Sequence, residues 1–295
     1  MPKKEADYIK KFNESRKIIS QFLIIEKNIK RTKNNKPFLE LILQDKTGQI
    51  FGRMFNKKVY KEFEKIEENK VYNVVGKIQE YPPDSKRYNI LLERLVLANK
   101  FNEEDFIIQI ENQDSHINYL INTIHEIEDK ELKLILTSFF QDKDFFEKFI
   151  VAPAAKKYHH NYKGGLLVHT NEVVEICKTI STIYEDINKD LLISGAILHD
   201  IGKIETYDYK TERIEINDKG IFLDHIFIGT CILKEKMNLL NISEKTKINL
   251  MHLLLSHHGD VDLGWGSSVN PRIPEAIALH HADDMSAKIS KSLDF

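Results

Sequence analysis

His169, His199-Asp200, His225, His257-His258 and Asp283 fall in this order along the second half of the chain, each on a stretch that reads as helix. Imidazole nitrogens and carboxylate oxygens brought together from several helices of one bundle make a metal site. His199 and Asp200, neighbours on a helix, differ in direction by about 100°, so both can reach one cavity near the helix end. A carboxylate offers two oxygens and can bridge two ions, which an imidazole cannot. Two divalent ions roughly 3.5–4 Å apart would clamp a phosphodiester and activate a water between them. A single histidine on a helix is more often a packed or surface residue. That reading is kept for His116, His125 and His252.

The helices that must carry these side chains are legible from period and punctuation. Ile117, Leu120, Ile121, Ile124 and Ile127 recur at intervals of three and four, the pattern of one buried helical face. Further helices read over 166–184, 190–201, 224–240, 243–258 and 274–290. Asp190, Asp224 and Ser243 are the expected N-caps, Gly202 and Gly259 the expected C-terminal stops, and Pro274 sits in a first turn. Gly164-Gly165 reads as a turn before a helix, and residues 205–222 as a small β-hairpin insertion.

The first hundred residues differ in every respect. They hold 23 Lys+Arg against 13 Asp+Glu, a net of +10, while residues 101–295 have a net of -12. The formal charge of -2 over 295 residues therefore conceals two opposed halves, and all 12 histidines lie in the second. Runs at 18–25, 38–43, 49–55, 71–78 and 88–97 read as strands, with a short charged helix over 57–69 between the third and fourth. That order is the pattern of an OB-fold barrel, and Gly52 and Gly76 suit the bulges it needs. The expected architecture is α+β and multidomain: a five-stranded OB-fold barrel over 1–100, a linker over 101–113, and an all-α bundle with the hairpin insertion over 114–295.

A net charge of +10 on an OB-fold suits single-stranded nucleic acid, with Tyr81, Phe38 and Phe55 as candidate stacking faces. Strand aromatics are more often core. The start, MPKKEADYIKKF, has no apolar stretch behind its lysines, and the longest apolar run, 191–198, is far short of the ~20 residues that span a bilayer. With Cys177 and Cys231 both inside apolar helical patterns, a reducing cytoplasm is expected.

The ordered strings narrow the reading. HHNYKGGLLVHT at 159–170, HDIGK at 199–203, SHHG at 256–259 and LHHAD at 279–283 resemble the HD superfamily of metal-dependent phosphohydrolases, and within it the YhaM-type 3′-to-5′ exoribonucleases. That family joins an N-terminal OB-fold to a C-terminal HD domain, so the resemblance covers nearly the whole chain. It implies Mn²⁺-type ions and stepwise release of nucleoside 5′-monophosphates from single-stranded RNA and perhaps DNA. His and Asp donors suit Fe²⁺, Co²⁺ or Zn²⁺ as well, and a homo-oligomer is expected because the interhelical surfaces leave room for self-association. By that resemblance His169, His199, Asp200 and Asp283 would hold one ion and Asp200, His225 and His257 the other. Lys203 would stabilise charge on a phosphate oxygen, with His160, Lys163 and His258 as substrate contacts. One departure stands out: the family pattern has an acidic residue where this chain has Ser286. Two other readings stay open, a phosphohydrolase of nucleotides or cyclic dinucleotides and a metal-stabilised RNA-binding module without catalysis.

Overall fold

The computed structural model describes residues 3–56, 59–106, 108, 110, 112–155, 162–208 and 214–293. The chain divides into two compact units, 1–109 and 110–295. The first is a closed barrel of β1 (Lys17–Arg31), β2 (Pro37–Asp45), β3 (Gly48–Met54), β4 (Lys70–Glu80) and β5 (Tyr88–Leu97), with α1 (Val59–Lys65) between β3 and β4. The order around the barrel is β1-β2-β3-β5-β4, closed by a parallel pairing of β3 with β5. Inward side chains from alternate positions, among them Phe22, Ile24, Leu39, Leu41, Leu43 and Ile90, fill it completely.

Register shifts lie between Ile24 and Glu26 and between Val75 and Gly76. Gly76 thus serves the bulge expected of it. Gly52 does not: it lies in regular pairing, where a Cβ would sit 2.8 Å from Leu43 Cδ1 and 2.9 Å from Leu92 Cδ1. Its role is to leave room for those leucines. Within the segment expected as a linker, Asp105 and Phe106 are buried while 101–104 and 112 are exposed. Phe106 is buried against Leu23, Val71 and Ala98, its carbonyl accepts a hydrogen bond from Gln44 at 2.9 Å, and Ile110 packs on the core of the second unit.

The second unit is helical: α2 (Gln113–Glu126), α3 (Lys130–Phe140), α4 (Lys143–Phe149), α5 (Gly165–Ile183), α6 (Lys189–Leu198), α7 (Lys203–Thr206), α8 (Asp218–Leu223), α9 (His225–Asn238), α10 (Glu244–Ser256) and α11 (Pro274–Leu293). α6 is buried along nearly its whole length, which is why it reads as a continuous apolar run rather than an amphipathic one. Asp224 and Ser243 cap α9 and α10 as expected. At α6 the cap is Asn188, whose side chain accepts from the Leu191 amide; Asp190 instead accepts from the amides of Glu128 and Asp129 at 2.8 and 2.7 Å. Among the described residues the hairpin consists of β6 (Tyr207–Asp208) and β7 (Glu215–Ile216), and residues 218–222, expected within it, belong to α8. Asn217 decides this by capping, its side chain accepting from the Gly220 amide. Among the described residues no helix is long and apolar enough to cross a membrane.

Candidate metal centre

Two of the key side-chain pairs sit where helices end. His199 follows the last residue of α6 and His257 the last of α10, each at the C-cap. Their Nδ1 atoms donate to the carbonyls three residues back, Ala196 at 2.8 Å and Leu254 at 2.7 Å. Such carbonyls have lost their intrahelical partner, and the imidazole supplies one. The turn also brings the following residue, Asp200 or His258, toward the same cavity.

Close approach of the backbones completes the assembly. A Cβ on Gly202 would lie 2.0 Å from the His225 carbonyl oxygen and 2.6 Å from the Gly229 amide nitrogen, so only glycine lets the turn after Asp200 touch α9. Gly202 has ordinary helical dihedrals, so it acts through space rather than as the left-handed stop expected of it. Gly259 is the left-handed residue, at φ +87°, and a Cβ there would sit 2.5–2.9 Å from the His280 ring.

Asp200 is at the centre and its two oxygens face different neighbours. Oδ2 lies 3.5 Å from His169 Nε2 and 3.3 Å from His199 Nε2, while Oδ1 lies 3.4 Å from His225 Nε2 and 3.7 Å from His257 Nε2. Asp283 Oδ1 joins the first side, 3.0 Å from His169 Nε2. The adjacent Asp284 turns to Lys288 at 2.8 Å. Two groups of donor atoms, each within 4.8 Å of one another, result: His169, His199 and Asp200; and His225, His257 and His258. His258, expected at the substrate, is thus placed with the imidazoles of the second group, its ring centroid 4.3 Å from that of His257.

The tautomers follow from the oxygen partners. His225 Nδ1 is 2.9 Å from Asp224 Oδ1, and His258 Nδ1 donates to the Trp265 carbonyl. His169 Nδ1 lies 3.1 Å from Ser286 Oγ, whose own proton goes to Glu172 Oε2 at 2.8 Å, so Ser286 accepts from the imidazole. With Nδ1 protonated in each case, the Nε2 lone pairs are left to face the cavity. Burial disfavours a charge on His257, and its neighbours His258 and His199 reinforce this, holding it well below the usual imidazole range. Burial likewise lowers His169. For His199 burial acts the same way but Asp200 outweighs it, and its pKa is raised. Burial favours protonated Asp200; Lys203, His199 and His225 outweigh that and hold the carboxyl far below its usual range.

Three buried polar atoms here have no hydrogen-bond partner: Asp200 Oδ1, His225 Nε2 and His257 Nε2. Leaving such atoms unsatisfied costs about 1–3 kcal/mol each, and they converge on one point. A divalent cation satisfies all three, so the residues fit the metal that the sequence pattern implied. Lys203 Nζ is 2.6 Å from Asp200 Oδ2, paired with the carboxylate at the heart of the cluster. Lys163 is half-buried just before α5 and is not among the residues lining the cavity; His160 lies outside the described residues. Sequence reasoning missed Glu172, Tyr207 and Trp265, the last two of which line the cavity.

Both units of the chain are similar to known proteins. Residues 166–288 match the HD domain, and residues 24–98 match the OB-fold nucleic acid binding domain. The 3′-5′ exoribonuclease YhaM of Bacillus subtilis (strain 168) is 30% identical over 275 residues, covering 92% of this chain and 85% of that protein. That of Listeria innocua serovar 6a is 30% identical over 98% of this chain and 90% of the relative, and that of Listeria monocytogenes serotype 4b (strain F2365) is 31% identical over 92% and 86%. An OB-fold barrel followed by a metal-dependent HD phosphohydrolase domain, matched across nearly its whole length, makes this chain a member of the YhaM 3′-5′ exoribonuclease family.

Proposed function

We propose that the chain shortens single-stranded RNA, and secondarily single-stranded DNA, from the 3′ end, releasing nucleoside 5′-monophosphates. The observation that carries this reading is the shared carboxylate, one oxygen of Asp200 facing His169 and His199 and the other facing His225 and His257. In this reading His169, His199, Asp200 and Asp283 hold one divalent ion, and Asp200, His225 and His257, joined by His258, hold a second. Such ions supply Lewis-acid stabilisation of the charge that builds on phosphoryl oxygens. The nitrogen and oxygen donor set suits Mn²⁺, with Fe²⁺, Co²⁺ and Zn²⁺ also compatible.

The protein groups have separate tasks. Hydrogen bonds from each Nδ1 fix the tautomer and aim each Nε2 at the cavity. Lys203 orients Asp200 and brings a positive charge to the cavity, where a phosphate oxygen would accept from it. Lys163 and His160 are further candidates for the strand's phosphates. The basic barrel gathers the strand, offsetting the acidity of the HD domain. Two unpaired thiols, at Cys177 and Cys231, fit a reducing cytoplasm. Self-association, the remaining expectation, is read directly by sedimentation of the full chain.

The test is a time course on 5′-labelled RNA, run beside metal analysis of anaerobically purified protein. Stepwise shortening with 5′-monophosphate products is expected, lost in Asp200→Ala. Ribonuclease activity retained in that variant would refute the shared-carboxylate mechanism. Turnover of nucleotides or cyclic dinucleotides without RNA shortening would favour the other phosphohydrolase reading.

A further inference from the structure

The cavity above the cluster encloses about 320 Å³, the small end of ligand-sized pockets and room for a single nucleotide rather than a folded strand. Its lining includes His169, His225, His258 and Asp283, which are accounted for. Trp265, which also lines it, is not: it lies on the loop between α10 and α11 with half its surface exposed.

Several features hold this indole in place. Its residue lies between two glycines in left-handed conformations, Gly264 at φ +69° and Gly266 at φ +105°. Its carbonyl accepts from His258 Nδ1, which ties the loop to the ligand cluster itself. Lys288 Nζ sits over the ring, 5.5 Å from its centroid, and is braced by Asp284. Small residues, Ala155 and Ala287, line the same cavity and leave space beside the ring. A large aromatic face kept beside a histidine–aspartate cluster is what a flat ligand with a phosphate requires.

We propose that Trp265 is the stacking platform for the base of the 3′-terminal nucleotide, forming a base subsite next to the phosphate held at the histidine–aspartate cluster. This rests on the exonuclease reading above. The released nucleotide keeps the scissile phosphate, so base and phosphate occupy one cavity in both substrate and product. Stacking accepts every base, since each has a π-face, as an enzyme that meets all four in turn needs. It also gives affinity that owes nothing to positive charge, in a half of the chain whose net charge is -12.

Trp265 is the single tryptophan of the chain, so indole emission reports on this position alone. Titration of the full chain with adenosine 5′-monophosphate should quench that emission saturably, and ribose 5-phosphate, which lacks a base, should not. On RNA, Trp265→Ala should raise KM about 5- to 150-fold with little change in kcat, and Trp265→Phe should restore most of the loss. On RNA ending in an abasic 3′ nucleotide, the wild type and Trp265→Ala should have the same KM. An emission that ignores adenosine 5′-monophosphate, or responds equally to ribose 5-phosphate, overturns the proposal, as does an unchanged KM in Trp265→Ala. If the wild type fails to shorten RNA, the exonuclease reading falls, while base-dependent quenching would still establish the subsite.

Discussion

Glu172 follows His169 by one turn of α5, and a single hydroxyl joins the two: Ser286 Oγ lies 3.1 Å from His169 Nδ1 and 2.8 Å from Glu172 Oε2. Ser290 Oγ also donates to the same carboxylate oxygen, at 3.3 Å. The acidic residue that the family pattern led us to expect at position 286 is therefore present in effect, displaced onto the neighbouring helix. Outer partners of this kind fix the tautomer and raise the basicity of a ligating imidazole.

Ser286→Ala should weaken metal binding about 10- to 100-fold, the loss usual when such a partner is removed. Isothermal titration with Mn²⁺ measures it directly. Glu172→Gln should have a smaller effect of the same sign, because the hydroxyl still has an acceptor there. A Ser286→Ala protein with unchanged metal affinity would remove the link from the account.

Asp200→Asn keeps the shape of the side chain and removes its charge. Loss of at least about 10³-fold in kcat is expected, corresponding to about 4 kcal/mol of transition-state stabilisation. Because Lys203, His199 and His225 outweigh burial and hold Asp200 charged, the substitution leaves those groups without their counter-charge, and the thermal midpoint of the metal-free variant should fall. Activity measured beside melting separates the two effects.

Gly202→Ala tests the backbone approach. With a Cβ 2.0 Å from the His225 carbonyl oxygen, α9 must move away from Asp200. A destabilisation of about 3 kcal/mol or more is expected, at or beyond the upper end for overpacking, together with loss of turnover. Gly264→Ala, where a Cβ meets nothing within 4 Å, is the control for the strain of φ +69° alone.

The barrel carries a pH signature. Burial would raise the Glu40 carboxyl, but Lys30 at 2.6 Å and Arg53 at 2.8 Å outweigh it and lower its pKa below the ordinary 4.5. The unfolded chain takes up this proton near pH 4.5 and the folded one only below that. Its stabilising contribution is therefore complete above about pH 4.5 and drains away as pH falls through the folded value. Glu40→Gln should cost about 1–2 kcal/mol at pH 7, a figure kept small because Lys30 is half exposed, and the cost should shrink toward pH 3. Urea midpoints of the full chain against pH give the test.

Phe55 and Phe38 stack with centroids 4.9 Å apart, Phe55 exposed and Phe38 buried beneath it. If Phe55 receives a base, Phe55→Ala should weaken single-stranded RNA binding about 5- to 150-fold without changing the salt slope. Fluorescence anisotropy at several salt concentrations distinguishes this from loss of a phosphate contact.

Much of this molecule was readable because its signals are local. Strand alternation, the Asp224 and Ser243 caps and the order of His and Asp along the helices all lie within a few residues of what they determine. Part of what escaped depends on partners distant in sequence. Asp190 looked like a cap but serves the amides of Glu128 and Asp129. Ile221 and Phe222 looked like strand residues, yet Asn217 starts a helix. α3 and α4 went unmarked although Asp129 and Asp142 cap them, since their Phe- and Leu-rich pattern is dense rather than periodic. His258 was assigned to the substrate by resemblance to the family, and its place beside His257 comes from the turn that follows the end of α10. Trp265 gave no signal at all; nothing in a glycine-flanked aromatic says which cavity it will border.

The bond from His258 to the carbonyl of Trp265 uses only main chain on the loop side. Whatever side chain stands at 265, that acceptor remains, so the imidazole keeps its anchor when the residue changes. The loop separates what must be inherited unchanged from what is free to vary. Preference for the terminal base could therefore drift, or be re-engineered by substitutions at one position, while the hydrolytic cluster beneath it stays intact.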